Sequence, residues 1–317
     1  MHAQNQTRVL PYCAAAIAEA ARLIADGQTV AMPTETVYGL AADATNAEAV
    51  ARVYEAKGRP SFNPLIVHLG SLEWAEGIAR FDDTARELAR RFWPGPLTLV
   101  LPIRSSTGIA SIVTAGLPTI AIRVPAHRAM QDLLAATLRP LAAPSANASG
   151  GLSPTRADHV LSSLGGRIPL IVDGGPTGHG LESTIVATGE DGARLLRPGP
   201  ISDLGIALAP NRSAAVEAPG QLASHYAPAK PIRLGATERR QGEWLIGFGE
   251  VEGDSTLSAS GDLVEAAASL FDRLHEADAS PAAAIAVAPV PSSGLGAAIA
   301  DRLRRAAAPR PGGQDRP

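Results

Sequence analysis

The sequence predicts a mixed α/β protein in two parts, and three observations carry that reading. Over 11–208 short apolar runs alternate with helix-spaced patterns. Over 209–231 the rhythm lapses into Pro-Asn-Arg-Ser and then Glu-Ala-Pro-Gly-Gln-Leu-Ala-Ser-His-Tyr-Ala-Pro-Ala-Lys-Pro. Beyond it the strand–helix order returns. The expected division is a first domain over 10–208, a linker over 209–231 and a small α/β domain over 232–308. A tail over 309–317, rich in Pro, Gly and charge, is expected to be disordered. A length of 317 residues fits two domains.

The elements follow in order. Ile17, Ala20, Ala21 and Ile24 predict a helix over 13–26 that stops at Gly27, where a left-handed cap is easiest without a Cβ. Thr-Val-Ala-Met at 29–32 reads as a buried strand. Thr45 and Glu48 have the spacing of a capping box for a helix through Val50, Val53 and Tyr54 towards Gly58, which puts Lys57 at its C-terminus. Further strands are expected at 65–69, 97–101, 119–124, 141–143, 170–172 and 184–187, each bounded by Pro, Gly, Asn or Asp. In the second domain strands are expected at 244–248 and 284–287. Leu263, Val264, Ala267, Leu270, Phe271 and Leu274 form one helix face, and 297–306 forms another helix. Polar residues crowd the strand ends, so a site built across several of them is the expectation.

Composition narrows the chemistry. Lys+Arg 28 against Asp+Glu 31 leaves a net charge of −3, so no global positive field advertises nucleic-acid binding. The single Cys13 can make neither an internal disulfide nor a Cys-rich metal centre, and it suits a reducing compartment. No signal-peptide layout and no run of about 18 apolar residues appears, so a cytoplasmic protein without a membrane span is expected. P-loop, zincin and nucleophile-elbow motifs are absent. Gly294-Leu-Gly296-Ala-Ala-Ile299 lacks the third glycine of a dinucleotide fingerprint and reads as a tight turn before a helix.

Several segments carry polar chemistry. Pro33-Thr34-Glu35-Thr36-Val37-Tyr38-Gly39-Leu40 offers hydroxyls, a carboxylate and a phenol at a strand end, either for a small ligand or for a turn that satisfies itself. Lys57-Gly58-Arg59-Pro60-Ser61 is either a phosphate clamp or a helix terminus drawing cations. His68 ends an apolar strand, where a histidine is ordinarily a satisfied core residue. Ala143-Pro-Ser145-Ala-Asn147, Ser153-Pro-Thr155 and Gly174 to Thr184 supply small residues and hydroxyls suited to an anion, although each alone is only a turn. Arg123 and Arg197 lie on apolar strands with no neighbouring carboxylate in sequence, which favours an anionic ligand for both.

Taken in one order, Pro33 to Leu40, Lys57 to His68, Trp93-Pro-Gly-Pro-Leu-Thr98, Arg123-Val-Pro125, Ala143 to Asn147, Asp173-Gly-Gly175, Glu182-Ser-Thr-Ile185 and Arg197 to Pro200 closely resemble the YrdC-domain threonylcarbamoyl-AMP synthases. His225-Tyr-Ala-Pro228 and Ser293-Gly-Leu-Gly-Ala-Ala-Ile-Ala-Asp-Arg302 resemble the two-domain long form of that family. Gln221-Leu-Ala-Ser224 departs from it, since many members carry Met and basic residues there.

The resemblance implies a twisted, mixed sheet with helices around a large concave cavity, plus a small C-terminal α/β domain. It implies that L-threonine, bicarbonate or carbon dioxide, and ATP give threonylcarbamoyl-adenylate and pyrophosphate, for a downstream threonylcarbamoyl transferase complex that modifies tRNA. By resemblance Lys57, Arg59, Ser61, Thr114, Ser145, Asn147, Ser153, Arg197 and Tyr226 surround ATP, Lys57 and Arg59 being catalytic, and Mg²⁺ rides on the phosphates. Thr34, His68, Arg123, Ala143 and Ser183 surround threonine, with no metal held by the protein. The carbamate is itself an anionic nucleophile, so alignment and charge neutralisation suffice, and the expected constellation is cationic and poor in carboxylates. His225 and Tyr226 are expected to act as a lid.

Two other readings stand beside this one. A tRNA- or double-stranded-RNA-binding factor without chemistry could use Lys57 and Arg59 on phosphates. The hydrogenase-maturation carbamoyltransferase contains a related domain but needs Cys-rich zinc motifs, which one cysteine excludes.

Overall fold

The computed structural model describes residues 6–60, 63–189, 192–210, 217–219 and 225–309. The chain divides into two compact units, Met1–Ala148 with Ser153–Gln221, and Ser149–Leu152 with Leu222–Pro317. Much of the expected linker, at 211–216 and 220–224, and the tail from 310 lie outside the described residues.

The first unit runs β1 (Arg8–Pro11), α1 (Ala14–Ala25), β2 (Val30–Met32), β3 (Gly39–Asp43), α2 (Ala47–Lys57), β4 (Ile66–His68), α3 (Leu72–Ile78), α4 (Asp83–Phe92), β5 (Leu97–Pro102), α5 (Ser111–Thr114), β6 (Thr119–Arg123), α6 (Arg128–Thr137), β7 (Leu141–Ala142), α7 (Ala157–Leu164), β8 (Leu170–Asp173), β9 (Thr184–Ala187) and β10 (Arg194–Arg197). Its strands form one mixed sheet in the order β1-β8-β2-β3-β7-β4-β6-β5-β9-β10. Parallel neighbours such as β4 and β6 alternate with antiparallel ones such as β5 and β6. Ile17, Ala20 and Ile24 of α1 pack with Leu133 and Leu134 of α6 and with Val30 and Met32 of β2. Val50 and Val53 of α2 join Leu99 and Ile122 in a larger core.

The helix ends explain themselves. Gly27 takes φ +70° after α1, as its position predicts. Gly58 caps α2 in the left-handed region, leaving Lys57 as the last helical residue. The N-cap of α2 is Asn46 and not Thr45: its side chain accepts from the amides of Glu48 and Ala49. Thr45 instead donates its hydroxyl to Asp43. An aspartate two residues upstream thus removes Thr45 from the capping role.

The second unit contains β11 (Ile232–Leu234), β12 (Glu243–Gly247), β13 (Ser255–Thr256), α8 (Leu263–Ala279), β14 (Ala284–Val287) and α9 (Leu295–Ala306). Its sheet is parallel throughout, in the order β11-β14-β12-β13. The buried face of α8 is Ala266, Ala267, Leu270, Phe271, Leu274 and Ala277, whereas Val264, expected on that face, is 65% exposed in the first turn. Gly294 and Gly296 make the tight turn into α9, where a Cβ on Gly296 would lie 2.0 Å from the Pro291 carbonyl. No helix among the described residues is long and apolar enough to cross a membrane.

Candidate active site

Four neighbouring strands bring their polar ends to one edge of the first sheet. β4 and β6 run parallel, so His68 stands opposite Arg123 in register. β5 and β9 are parallel and begin at that edge, with Leu97 opposite Thr184. Chain direction alone therefore gathers His68, Arg123, Thr98 and Ser183.

Arg123, only 4% exposed, is held on three sides. Its Nε donates to the Gly95 carbonyl at 3.2 Å, Nη1 to Thr36 Oγ1 at 2.8 Å and Nη2 to Glu35 Oε1 at 2.5 Å. The carboxylate that no sequence neighbour offers Arg123 comes from Glu35, 88 residues away in sequence. Burial would raise the Glu35 carboxyl, but the Arg123 charge and hydrogen bond outweigh it and leave the pKa below the usual range. Burial, and then the Arg123 charge, pull His68 down to about 3, so its imidazole is neutral, and its Nδ1 is buried without a hydrogen-bond partner. His127 and His179, both lowered by burial, also sense the Glu35 charge. Thr34 is turned inward: its hydroxyl donates to the Val37 carbonyl at 2.6 Å and accepts from the amides of Thr36 and Val37.

A second group forms where β7 ends. Lys57, 2% exposed, donates from Nζ to the carbonyls of Ser145 at 2.5 Å and Asn147 at 2.6 Å, with Asn147 Oδ1 at 3.5 Å. Burial, then the Arg59 charge, push its pKa well below the lysine range, while three oxygens around Nζ favour the ammonium form. Arg59 reaches the Asn63 and Pro64 carbonyls at 3.3 and 2.9 Å. Ser61 lies outside the described residues. Thr114 ends α5 and donates to the Ser111 carbonyl at 3.1 Å. Ala143 packs beside Gly39, where an added Cβ would meet the Ala143 Cβ at 3.3 Å.

The third group surrounds Glu182 and Ser183. Ser153 donates to Glu182 Oε1. Ser183 shares a 2.7 Å hydrogen bond with Thr98 and accepts from Arg197 Nη2 at 3.1 Å. Arg197 also donates to the carbonyls of Ser183 and Pro219. Gly199 makes this possible, because any Cβ there would sit 2.4 Å from the Thr184 amide.

The 33–40 segment joins the groups. Glu35 and Thr36 bind Arg123, while Tyr38 and Leu40 hydrogen-bond to Pro144, Ala146 and Pro154 through their backbones. The Tyr38 phenol is not offered to a ligand: it donates to the Gly175 carbonyl at 2.7 Å and accepts from the Gly174 amide at 3.2 Å. The site is therefore cationic but not poor in carboxylates, since Glu35 and Glu182 both stand within it. Tyr226 belongs to the second unit, 1% exposed, its ring 5.8 Å from Phe271 and 5.1 Å from the Arg302 guanidinium.

A family model described as "Telomere recombination" matches residues 22–199, and one described as "Threonylcarbamoyl-AMP synthase, C-terminal domain" matches 200–308. The threonylcarbamoyl-AMP synthase of Bacillus subtilis is 41% identical over 327 residues, 93% of each chain. The chain belongs to the threonylcarbamoyl-AMP synthase family. The Pyrococcus abyssi threonylcarbamoyl-AMP synthase is 40% identical over 90% of this chain and 92% of its own. The crystal structure of Pyrococcus abyssi Sua5 complexed with L-threonine superposes with a TM-score of 0.87 at 37% identity, over 95% of this chain and 98% of that one. The Glu35–Arg123 and Glu182–Ser153 pairs carry no signal in the sequence, because neither partner has a local mark for the other.

Proposed function

We propose that this chain makes threonylcarbamoyl-AMP and pyrophosphate from L-threonine, bicarbonate or carbon dioxide, and ATP, and hands the adenylate to a separate transferase that modifies tRNA. The observation that carries the reading is the buried cluster at the ends of β4 and β6, where Arg123, Thr36 and neutral His68 stand together. The relatives' name and the threonine complex of the Pyrococcus abyssi protein support it.

Arg123 faces the threonine carboxylate, sharing it with Glu35 as a positioning partner. His68, neutral at physiological pH, accepts a hydrogen bond from the ammonium or hydroxyl of threonine through Nδ1. Thr34, Ala143 and Ser183 bound the same ligand. The uncharged threonine nitrogen adds to carbon dioxide and loses a proton, giving a carbamate; from bicarbonate the same carbamate forms with loss of water. One carbamate oxygen then attacks the α-phosphorus, a P–O bond forms, and the bond to pyrophosphate breaks. Lys57 and Arg59 neutralise charge as it shifts to the leaving group, and Thr114, Ser145, Asn147, Ser153 and Arg197 hold the nucleotide. Mg²⁺ enters in this reading on the phosphates of ATP.

Mass spectrometry of the product tests the proposal: an adenylate of threonylcarbamoyl mass should form only with threonine, bicarbonate and ATP together. ATP–pyrophosphate exchange indifferent to threonine, or retention of tRNA with no adenylate, would sink it.

A further inference from the structure

Asn147 and Ser153 lie in the first unit, yet the turn between them, Ser149–Leu152, packs with the second. The Ala227 amide donates to the Gly150 carbonyl of this turn at 2.8 Å. Ala227 directly follows Tyr226, whose φ of +62° is a left-handed conformation that a bulky residue keeps only when its surroundings hold it. The surroundings here come from α8 and α9. The Tyr226 ring packs on Phe271 and edge-on to His225, with ring centres 5.8 and 4.1 Å away. Arg302 lies over its face at 5.1 Å.

Arg302 is 0% exposed and the largest fully buried side chain among the described residues. An arginine so deep is costly unless its charge is balanced and its flat guanidinium is packed. Asp301 answers the charge at 2.8 Å and also receives Arg305 at 3.1 Å. The Arg305 carbonyl in turn accepts from the His225 amide at 3.3 Å. A chain of contacts thus runs from α9 through His225, Tyr226 and Ala227 to Gly150.

We propose that Arg302 is a positioning residue for the nucleotide site: by holding Tyr226 in its left-handed conformation it keeps the Ala227 amide on Gly150 and so fixes the turn that spaces Asn147 from Ser153. The inference rests on the assignment of Asn147 and Ser153 to ATP. Arg302 thus acts on ATP affinity through this turn without touching substrate.

The test uses full-length Arg302→Met and Arg302→Lys, with initial rates against ATP and against threonine, and amide hydrogen exchange on each protein. Arg302→Met should raise KM for ATP about 2- to 30-fold, the range for residues that act on a site through others, and change KM for threonine less. Arg302→Lys should recover part of the loss, since an ammonium can still sit on the ring and pair with Asp301. Exchange over 147–153 and 225–228 should quicken in Arg302→Met while β12 and β14 stay protected. Unchanged ATP KM and unchanged exchange would overturn the inference. If fast exchange across α8 shows that Arg302→Met unfolds the second unit, Gly150→Ala decides instead. Gly150 has φ +80° and nothing within 4 Å of an added Cβ, so the substitution strains the turn alone. An unaltered ATP KM in that variant overturns the inference equally. A wild-type chain that binds ATP but makes no adenylate sinks the proposed function, and the exchange arm still reads the coupling.

Discussion

Glu35 Oε1 lies 2.5 Å from Arg123 Nη2, and Glu35 Oε2 accepts from the Ala126 amide at 3.0 Å. A carboxylate from the chain's own 33–40 segment therefore already neutralises the guanidinium proposed to receive the carboxylate of threonine.

Glu35→Gln should lower the melting temperature, because breaking a buried pair leaves Arg123 uncompensated at a cost of about 3–5 kcal/mol, less whatever hydrogen bond the amide retains. Saturating threonine should then raise the melting temperature by more in the variant than in the wild type, since the ligand supplies the missing negative charge. Equal shifts in both proteins would count against Arg123 as the carboxylate partner.

Lys57→Met and Arg59→Ala should each cost about 10²- to 10³-fold in turnover, as loss of one charge-neutralising donor typically does. Their stabilities should differ. Lys57 donates to the Ser145 and Asn147 carbonyls from a 2% exposed position, so its removal should also destabilise the fold, contrary to a surface helix-terminus role. Thermal melts and product rates measured on the same samples separate the two effects; a destabilised Lys57→Met that retains full turnover returns the residue to a purely structural role.

Serine should be the poorer substrate. Removing the methyl from a snug contact is worth about 10- to 200-fold in specificity constant. Competition of the two amino acids for limiting enzyme, read by product mass, gives the ratio directly, and a ratio near unity contradicts the threonine pocket.

His68 makes stability fall in acid. Its folded pKa of about 3 lies below the ordinary imidazole value of 6.5, so below 6.5 the unfolded chain binds a proton that the folded chain refuses. The contribution is complete above 6.5 and is lost progressively as pH falls towards 3. His68→Gln should flatten the denaturation midpoint in that window relative to the wild type. An unchanged slope would mean that His68 is charged or exposed in the folded protein.

Gly199→Ala should be among the most damaging one-methyl changes. The new Cβ would meet the Thr184 amide at 2.4 Å and the Glu182 carbonyl at 2.7 Å, backbone atoms that cannot swing aside. The displacement falls on Ser183 and Arg197, so threonine KM should rise along with the loss of stability. A normal melt and a normal KM together would show that the turn can relax.

What could be read from the sequence was whatever periodicity and punctuation govern. The β9 strand and its bounds, the stop of α1 at Gly27 and the C-terminal seat of Lys57 on α2 all follow from local pattern. β3 was hidden because Gly39–Asp43 is small, wholly buried and continuous with a polar segment, so no alternation marks it. Thr45 lost the cap to Asn46 through a competing side chain two residues away. At the site, residue types were legible but their pairings were not. Arg123 and Glu35, or Ser153 and Glu182, meet only once a mixed sheet has fixed which strand ends share an edge. Tyr38 likewise looked available until the fold turned its phenol onto Gly174 and Gly175.

The turn at 149–152 means that the residues of the two units are interleaved along the sequence. A gene cut at the linker therefore leaves Ser149–Leu152 on the amino-terminal piece, parted from the Leu222–Pro317 unit to which they belong.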